Sequence, residues 1–402
     1  MNPVSNPYMP GAGQPPPVLA GRDALRERVQ IALARLRSGR SAKSLVMVGL
    51  WGVGKTVLLE QMRSDAACAG ATILWIDNPA HGSLPALLAP QLREVLLRLS
   101  RVPAARAGAL SALSSVAILT QALAGPLKKR VMDLDFDSEA AGLAGPGPMD
   151  GGPATLLERT GWVARQAQCV VVLLIDEFQC LAPTQLASLI VVMHRCAQAR
   201  LPILLVGAGL PQLRNRVGQA KAYAERLFDY PEIRPLSDVE AALAIAQTAA
   251  QEGVAFEAAA VDWMVEKTAG YPFFLQAWAS QTWNLATASP ISLADVKRAW
   301  APTLAALDDG FFRGIFDRLT PAEQRYVRAM AERGPGCHRS GEIATGLGRR
   351  VQTVAPLRKG LISKGLIWSP GHGEAEFTAP FFAEFLQRIT LGAGGGVGVT
   401  DT

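Results

Sequence analysis

Four short stretches of the chain are apolar almost without interruption: residues 44–49 (SLVMVG), 72–77 (TILWID), 170–176 (VVVLLID) and 202–207 (PILLVG). Hydrophobicity that is continuous rather than alternating predicts strands buried on both faces, the condition of a parallel sheet under helices. Between the runs the period lengthens to that of helices, over residues 22–36, 56–69, 84–100, 154–166 and 185–199. A further helical pair falls near 104–123, and residues 230–233 read as the last strand. From 237 to 306 the pattern is helical throughout. Beyond Leu319 it predicts a helix over 321–332 capped by Thr320, a short helix over 340–345, and a basic helix over 354–364 capped by Thr353 with Pro356 in its first turn. A hairpin follows, in which 365–368 and 376–378 flank SPGHGEA. The outline is an α/β domain with helices on both faces of its sheet, a helical domain and a small winged-helix domain.

Proline and glycine place the boundaries. Residues 1–18 carry six prolines and 391–402 (LGAGGGVGVTDT) are Gly-rich, so both are expected to be disordered tails. Residues 135–152 (DFDSEAAGLAGPGPMDGG) are expected to form a long surface loop. The domains are then 19–236, 237–308 and 309–390.

Composition narrows the class. With 402 residues, 49% hydrophobic and 18% charged, the chain can bury two or three cores, which excludes wholesale disorder. No apolar run approaches the ~20 residues of a bilayer helix, and the first 18 residues lack the layout of a secretory signal. Five scattered cysteines without CxxC spacing argue against a disulfide framework or zinc site, and a reducing cytoplasm is expected. Charge is unevenly spread. Residues 312–364 hold eleven Lys/Arg against four acids, while the whole chain is only +6. A local excess of this kind points to a polyanionic partner.

The chemistry sits where strands stop. Gly49-Leu50-Trp51-Gly52-Val53-Gly54-Lys55-Thr56 fits GxxxxGK[ST], with an apolar strand before it and an amphipathic helix, holding Val57 in its first turn, after it. Glycines allow backbone N–H groups to close around phosphate oxygens, and a helix N-terminus adds positive potential. Gly49, Trp51, Gly52, Val53, Gly54, Lys55, Thr56 and Val57 are therefore the candidate ATP contacts, Lys55 on the β- and γ-phosphates and Thr56 on Mg²⁺. The strand ending Ile175-Asp176-Glu177 supplies Asp176 for the Mg²⁺ shell and Glu177 to polarise the attacking water. Residues 207–209 offer only Gly, Ala and Gly after the fourth run, leaving Gln212 as the nearest polar substitute or the segment as a plain turn. Arg226, just before the last strand, is a candidate arginine finger toward a second copy, with Arg214 and Arg216 as spares. An ion pair with Glu225 or Asp229 is the alternative.

These motifs, with Gly21-Arg22-Asp23 ahead of the first helix, IDEFQ, VGAGLP, ERLF and Thr268-Ala269-Gly270-Tyr271-Pro272-Phe273 in order, resemble AAA+-type P-loop ATPases of the origin-recognition-complex-like and STAND group. The resemblance spans roughly residues 19–390. It implies that Gly21 and Arg22 lie near the adenine and that Gly270 and Pro272, opening a lid helix, contact nucleotide. The chain departs from the family in lacking a polar sensor after the fourth strand and an Arg beside Tyr271–Pro272. Those departures bear on the rate of hydrolysis and leave nucleotide binding untouched.

Two functional classes follow. One is an ATPase, acting on DNA through Arg349, Arg350, Arg358 and Lys359 at the basic helix, as a homo-oligomer or with a protein partner. The other is a nucleotide-dependent switch with little turnover, its winged helix a protein-docking module.

Overall fold

β1 (Ser44–Val48), β2 (Thr72–Ile76), β3 (Val171–Ile175), β4 (Ile203–Gly209) and β5 (Phe228–Asp229) pair into one sheet in the order β2-β3-β4-β1-β5, every pair parallel. This computed structural model describes residues 1–11, 13–77, 83–124, 153–221 and 223–394. The loop expected over 135–152 and the tail from 395 on lie outside the described residues. The chain divides into two units, one of Gly21–Gly49 and Lys55–Ile233, the other of Met1–Ala20, Leu50–Gly54 and Arg234–Thr402.

In the first unit the continuous apolar runs have the consequence expected of them: β1, β3 and β4 are buried at every position. β2 is buried only at alternate positions, because it is an edge strand with one neighbour. The helix Asp23–Arg37 turns Val29, Leu33 and Leu36 inward, and the helix Lys55–Cys68 turns Leu58, Leu59, Met62 and Ala66 inward. Arg26 ties the two helices by a two-pronged contact to Asp65, Nε to Oδ2 at 2.8 Å and a terminal nitrogen to Oδ1 at 3.1 Å. The helices Leu84–Leu99, Pro153–Gln166 and Pro183–Gln198 complete the layers. Two expectations are corrected. The stretch near 104–123 is one helix, Arg106–Ala124, entered through the short turn Pro103–Ala105. The last strand is Phe228–Asp229 rather than 230–233. Pro231 has no N–H to donate, and pairing with β1 resumes only as a bridge between Val48 and Glu232.

In the second unit the helices Asp238–Ala250, Ala258–Thr268, Pro272–Leu285 and Leu293–Leu307 enclose Trp278 and Trp283, both fully buried. Residues 1–9 are not a free tail. The Tyr8 ring is buried in this core and its hydroxyl donates to the Ile245 carbonyl at 2.7 Å. Asn6 donates to Ser280 and Asn284, and the Asn2 carbonyl accepts from the Trp283 indole at 2.9 Å. Proline-rich composition had masked a segment anchored by one aromatic and two asparagines.

Farther on come Pro321–Ala331, β6 (His338–Arg339), Ser340–Gly346, Val351–Ser363, β7 (Ile367–Trp368), β8 (Glu374–Phe377) and Phe382–Gly394. The strands form a three-stranded antiparallel sheet ordered β6-β8-β7. Thr320 caps the helix Pro321–Ala331 in a capping box with Glu323. The basic helix begins three residues earlier than expected, with Arg350 rather than Thr353 at its N-cap, so Pro356 lies inside it. The last helix runs to Gly394, into the stretch read as a tail.

Candidate nucleotide site

The parallel register sets Ile76 beside Ile175, Ile175 beside Gly207 and Val48 beside Gly209, so β2, β3, β4 and β1 end together. In open α/β sheets ligands bind at this carboxyl edge. The chain leaves β1 with the Gly49 N–H donating to the Gly209 carbonyl at 3.1 Å. Gly52 and Gly54 then take φ of +79° and +86°, values that other residues rarely adopt, before the helix begins at Lys55. Leu50–Gly54 pack within the second unit. There the Trp51 N–H donates to the Thr378 carbonyl at 3.0 Å, and the Gly52 carbonyl accepts from the Phe273 N–H at 3.2 Å. Val53 is buried, and Val57 is half-buried in the first turn of the helix.

In the first unit, Lys55, Thr56, Asp176 and Glu177 converge. Lys55 is buried, and burial pushes its ammonium down to about 8 against the pull of Glu177 and Asp176. Thr56 lies close enough to the Asp176 carboxylate to favour its charged form. Burial raises both Asp176 and Glu177 above the ordinary carboxylate range, Lys55 acts against the rise, and Asp77 at the end of β2 adds to it. Three carboxylates against one ammonium leave a negative excess at this strand edge, which a divalent cation would offset. Thr56 and Asp176 are hard oxygen donors side by side, the set that Mg²⁺ takes together with phosphate oxygens and waters. Glu177 is held at φ +46°, ψ 41°, a left-handed backbone rare for a non-glycine, and its N–H donates to Asp176 Oδ1 at 2.9 Å.

Two residues of this site escaped sequence reasoning. Asp77 was visible as the last letter of an apolar run. Gln179 stood in the quoted IDEFQ, yet its part depends on the strand ends: its amide reaches both Glu177 and the end of β4.

Gly21 has φ +68°, and Arg22 is buried at the start of the first helix. Gly270 has φ +69°, with the Leu236 N–H on its carbonyl at 2.9 Å, and Pro272 opens the helix Pro272–Leu285. A Cβ on Gly54 would lie 4.0 Å from Pro272 Cγ, so the lid proline and the loop do meet within the second unit. Gln212 Oε1 is buried without a hydrogen-bond partner. Arg226 is exposed and, with Arg28, Arg35 and Lys43, lines a cleft of about 500 Å³ around the start of β1. Among the described residues no ion pair joins Arg226 to Glu225 or Asp229, and the Asp229 carboxylate takes Arg28 at 3.2 Å. Arg216 is occupied by the Gln179 and Leu181 carbonyls, and Arg214 lies over the Tyr230 ring. Arg349, Arg350 and Lys359 are exposed, whereas Arg358 is half-buried and engaged.

Residues 18–206 match the family described as the AAA ATPase domain, and that span contains the loop, Asp176 and Glu177. Residues 18–206 form an AAA ATPase domain. A separate match covers residues 309–386, to a domain of unknown function. Among curated proteins none matches. Among solved structures, the Walker-type ATPase of Pyrococcus abyssi is 13% identical, with 92% of this chain and 96% of that one covered and a TM-score of 0.57. The Aeropyrum pernix ORC1 protein in complex with DNA is 16% identical, with 94% and 95% covered and a TM-score of 0.47. The Thermotoga maritima RuvB Holliday junction branch migration motor is 16% identical, with 92% and 95% covered and a TM-score of 0.45. At this identity the first of these shows the fold, a P-loop ATPase sheet, and the AAA ATPase domain implies nucleotide binding. Among the described residues no helix is long and apolar enough to cross a membrane.

Proposed function

We propose that the AAA ATPase domain binds ATP with Mg²⁺ at the carboxyl edge of β1 and β3 and hydrolyses it. The observation that carries the reading is the convergence of Lys55, Thr56, Asp176 and Glu177 at that one edge. Lys55 and the loop N–H groups hold the phosphates, and Thr56 and Asp176 hold the metal. Glu177 orients the attacking water and takes its proton. Bound Mg²⁺ neutralises the charge that gathers on the phosphoryl oxygens. Lys55 meets phosphate as a positive charge, because the polyanion stabilises the ammonium that burial penalises.

The test uses two variants. Lys55→Ala should abolish ATP binding in a folded protein. Glu177→Gln should bind ATP as the wild type does and hydrolyse it roughly 10²–10⁴-fold more slowly, the scale of a positioned base. A wild type that turns over no faster than Glu177→Gln sinks the hydrolysis reading. It would favour the second one, a nucleotide-dependent switch, which the absence of a polar side chain at Gly207, Ala208 and Gly209 supports.

The C-terminal region carries the coupling. Its order of helix, strand, helix, helix and hairpin supports the winged-helix reading. Arg349, Arg350 and Lys359 present exposed charge at one helix of it, which supports contact with DNA phosphates over docking on a neutral partner.

A further inference from the structure

Gln179 belongs to the short turn Phe178–Cys180 that follows Glu177, and its side chain is buried. Both ends of its amide are used. Nε2 donates to the Glu177 carboxylate, and Oε1 accepts the Leu210 N–H at 3.0 Å. The partners fix which end is which, because a backbone N–H requires an acceptor and a carboxylate requires a donor.

The turn is seated tightly on the end of β4. A Cβ on Gly209 would fall 2.6 Å from Gln179 Oε1, and one on Gly207 would fall 2.6 Å from the Phe178 ring. Arg216 clamps the turn from the far side by donating to the Gln179 carbonyl and, at 2.8 Å, to the Leu181 carbonyl. The strand that offers no polar side chain of its own is thus bare because an amide from the neighbouring strand's turn fills its place.

We propose that Gln179 is a positioning residue for Glu177: its amide ties the water-orienting carboxylate to the end of β4. The proposal rests on the hydrolysis reading above. A carboxylate carried on a left-handed backbone at a strand end has several side-chain rotamers open to it. A bridge anchored on a backbone N–H of the central sheet selects one of them. The amide's partners are Glu177 and the Leu210 N–H, so in this proposal Gln179 acts through Glu177.

That statement separates a positioning role from a packing role. Gln179→Met fills nearly the same volume but can make neither hydrogen bond. Its kcat should fall about 10–100-fold, while KM for ATP and the affinity for a fluorescent ATP analogue with Mg²⁺ stay within about twofold of wild type. In the Glu177→Gln background the same change should cost nothing further, because the group it positions is already gone. Gly209→Ala reaches the bridge from the other side by pushing Oε1 off Leu210, and it should reproduce the kcat loss in an otherwise folded protein. Wild-type kcat in Gln179→Met, or an undiminished extra loss on top of Glu177→Gln, overturns the proposal while leaving the hydrolysis reading standing. A wild type no faster than Glu177→Gln overturns both.

Discussion

Arg358 donates through one terminal nitrogen to the Ser369 hydroxyl and to the Glu374 carbonyl, both at 2.6 Å, tying the helix Val351–Ser363 to both arms of the hairpin beyond it. Of the four basic residues that the sequence grouped as one DNA-facing set, this one is committed to the fold. Arg349, Arg350 and Lys359 are expected to carry phosphate neutralisation by themselves. Replacing these three with Ala should flatten the dependence of log binding constant on log salt by up to about 0.9 per lost contact on duplex DNA. Arg358→Ala should instead lower the thermal stability of the C-terminal region. An anisotropy salt series on duplex DNA checks the first and a thermal melt the second, and a triple variant with the wild-type slope would remove DNA contact from this face.

Arg226 gives a test of assembly. If it serves the site of a neighbouring copy, Arg226→Ala should lose turnover by about 10³-fold or more while binding ATP normally. Mixing Arg226→Ala with Lys55→Ala should then restore part of the activity, because the second variant supplies the arginine and the first supplies an intact site. A mixture no more active than Arg226→Ala alone would confine Arg226 to its own chain.

Asp65 is expected to make a pH-dependent contribution to stability. The hydrogen bond from Arg26 holds its carboxyl below the ordinary value, so the contact stabilises the folded protein above that value and is lost as pH falls through the lowered one. Asp65→Asn should cost about 1–2 kcal/mol at pH 7, the scale of a charged hydrogen bond in a partly buried site. The difference between the two proteins should shrink below about pH 4. Denaturant unfolding at several pH values measures it, and a gap that does not change with pH would assign the loss to shape rather than charge.

Gly270 has no latitude. Its φ is +69°, and a Cβ there would fall 2.1 Å from the Leu236 carbonyl oxygen. Gly270→Ala must move backbone, so a loss of more than about 3 kcal/mol is expected, visible as a lowered melting temperature and faster proteolysis of the helical region. A variant melting with the wild type would show that the Leu236 segment yields freely.

The sheet, and the loop and carboxylates gathered at its carboxyl edge, were legible because their signals are local. An unbroken apolar run needs burial on both faces, and GxxxxGK[ST] has meaning only between a strand and a helix. What escaped depended on distant partners. Nothing near Tyr8 announces that its ring is buried among helices more than two hundred residues away. Pro231 shows only as a missing donor once β1 is seen beside it. Gln179 becomes significant through the missing side chain of Gly209, and that gap closes only when β3 and β4 lie in register. The basic helix was found, but its sequence could not tell Arg358, turned to the hairpin, from Lys359, turned to water.

The place of β4 in the sheet has a practical consequence for cutting the protein into pieces. β4 lies between β3 and β1, and it runs from Ile203 to Gly209. A fragment trimmed to the family match would stop at Val206, inside that strand. It would lack Gly209 and Leu210, which receive Gln179, and the edge strand β5, exposing the full length of β1 as an apolar border. Such a border invites pairing with another copy of itself. A fragment meant to behave as a soluble ATPase domain should therefore be carried at least to Ile233, where the last backbone bond onto Val48 closes the sheet at 2.7 Å.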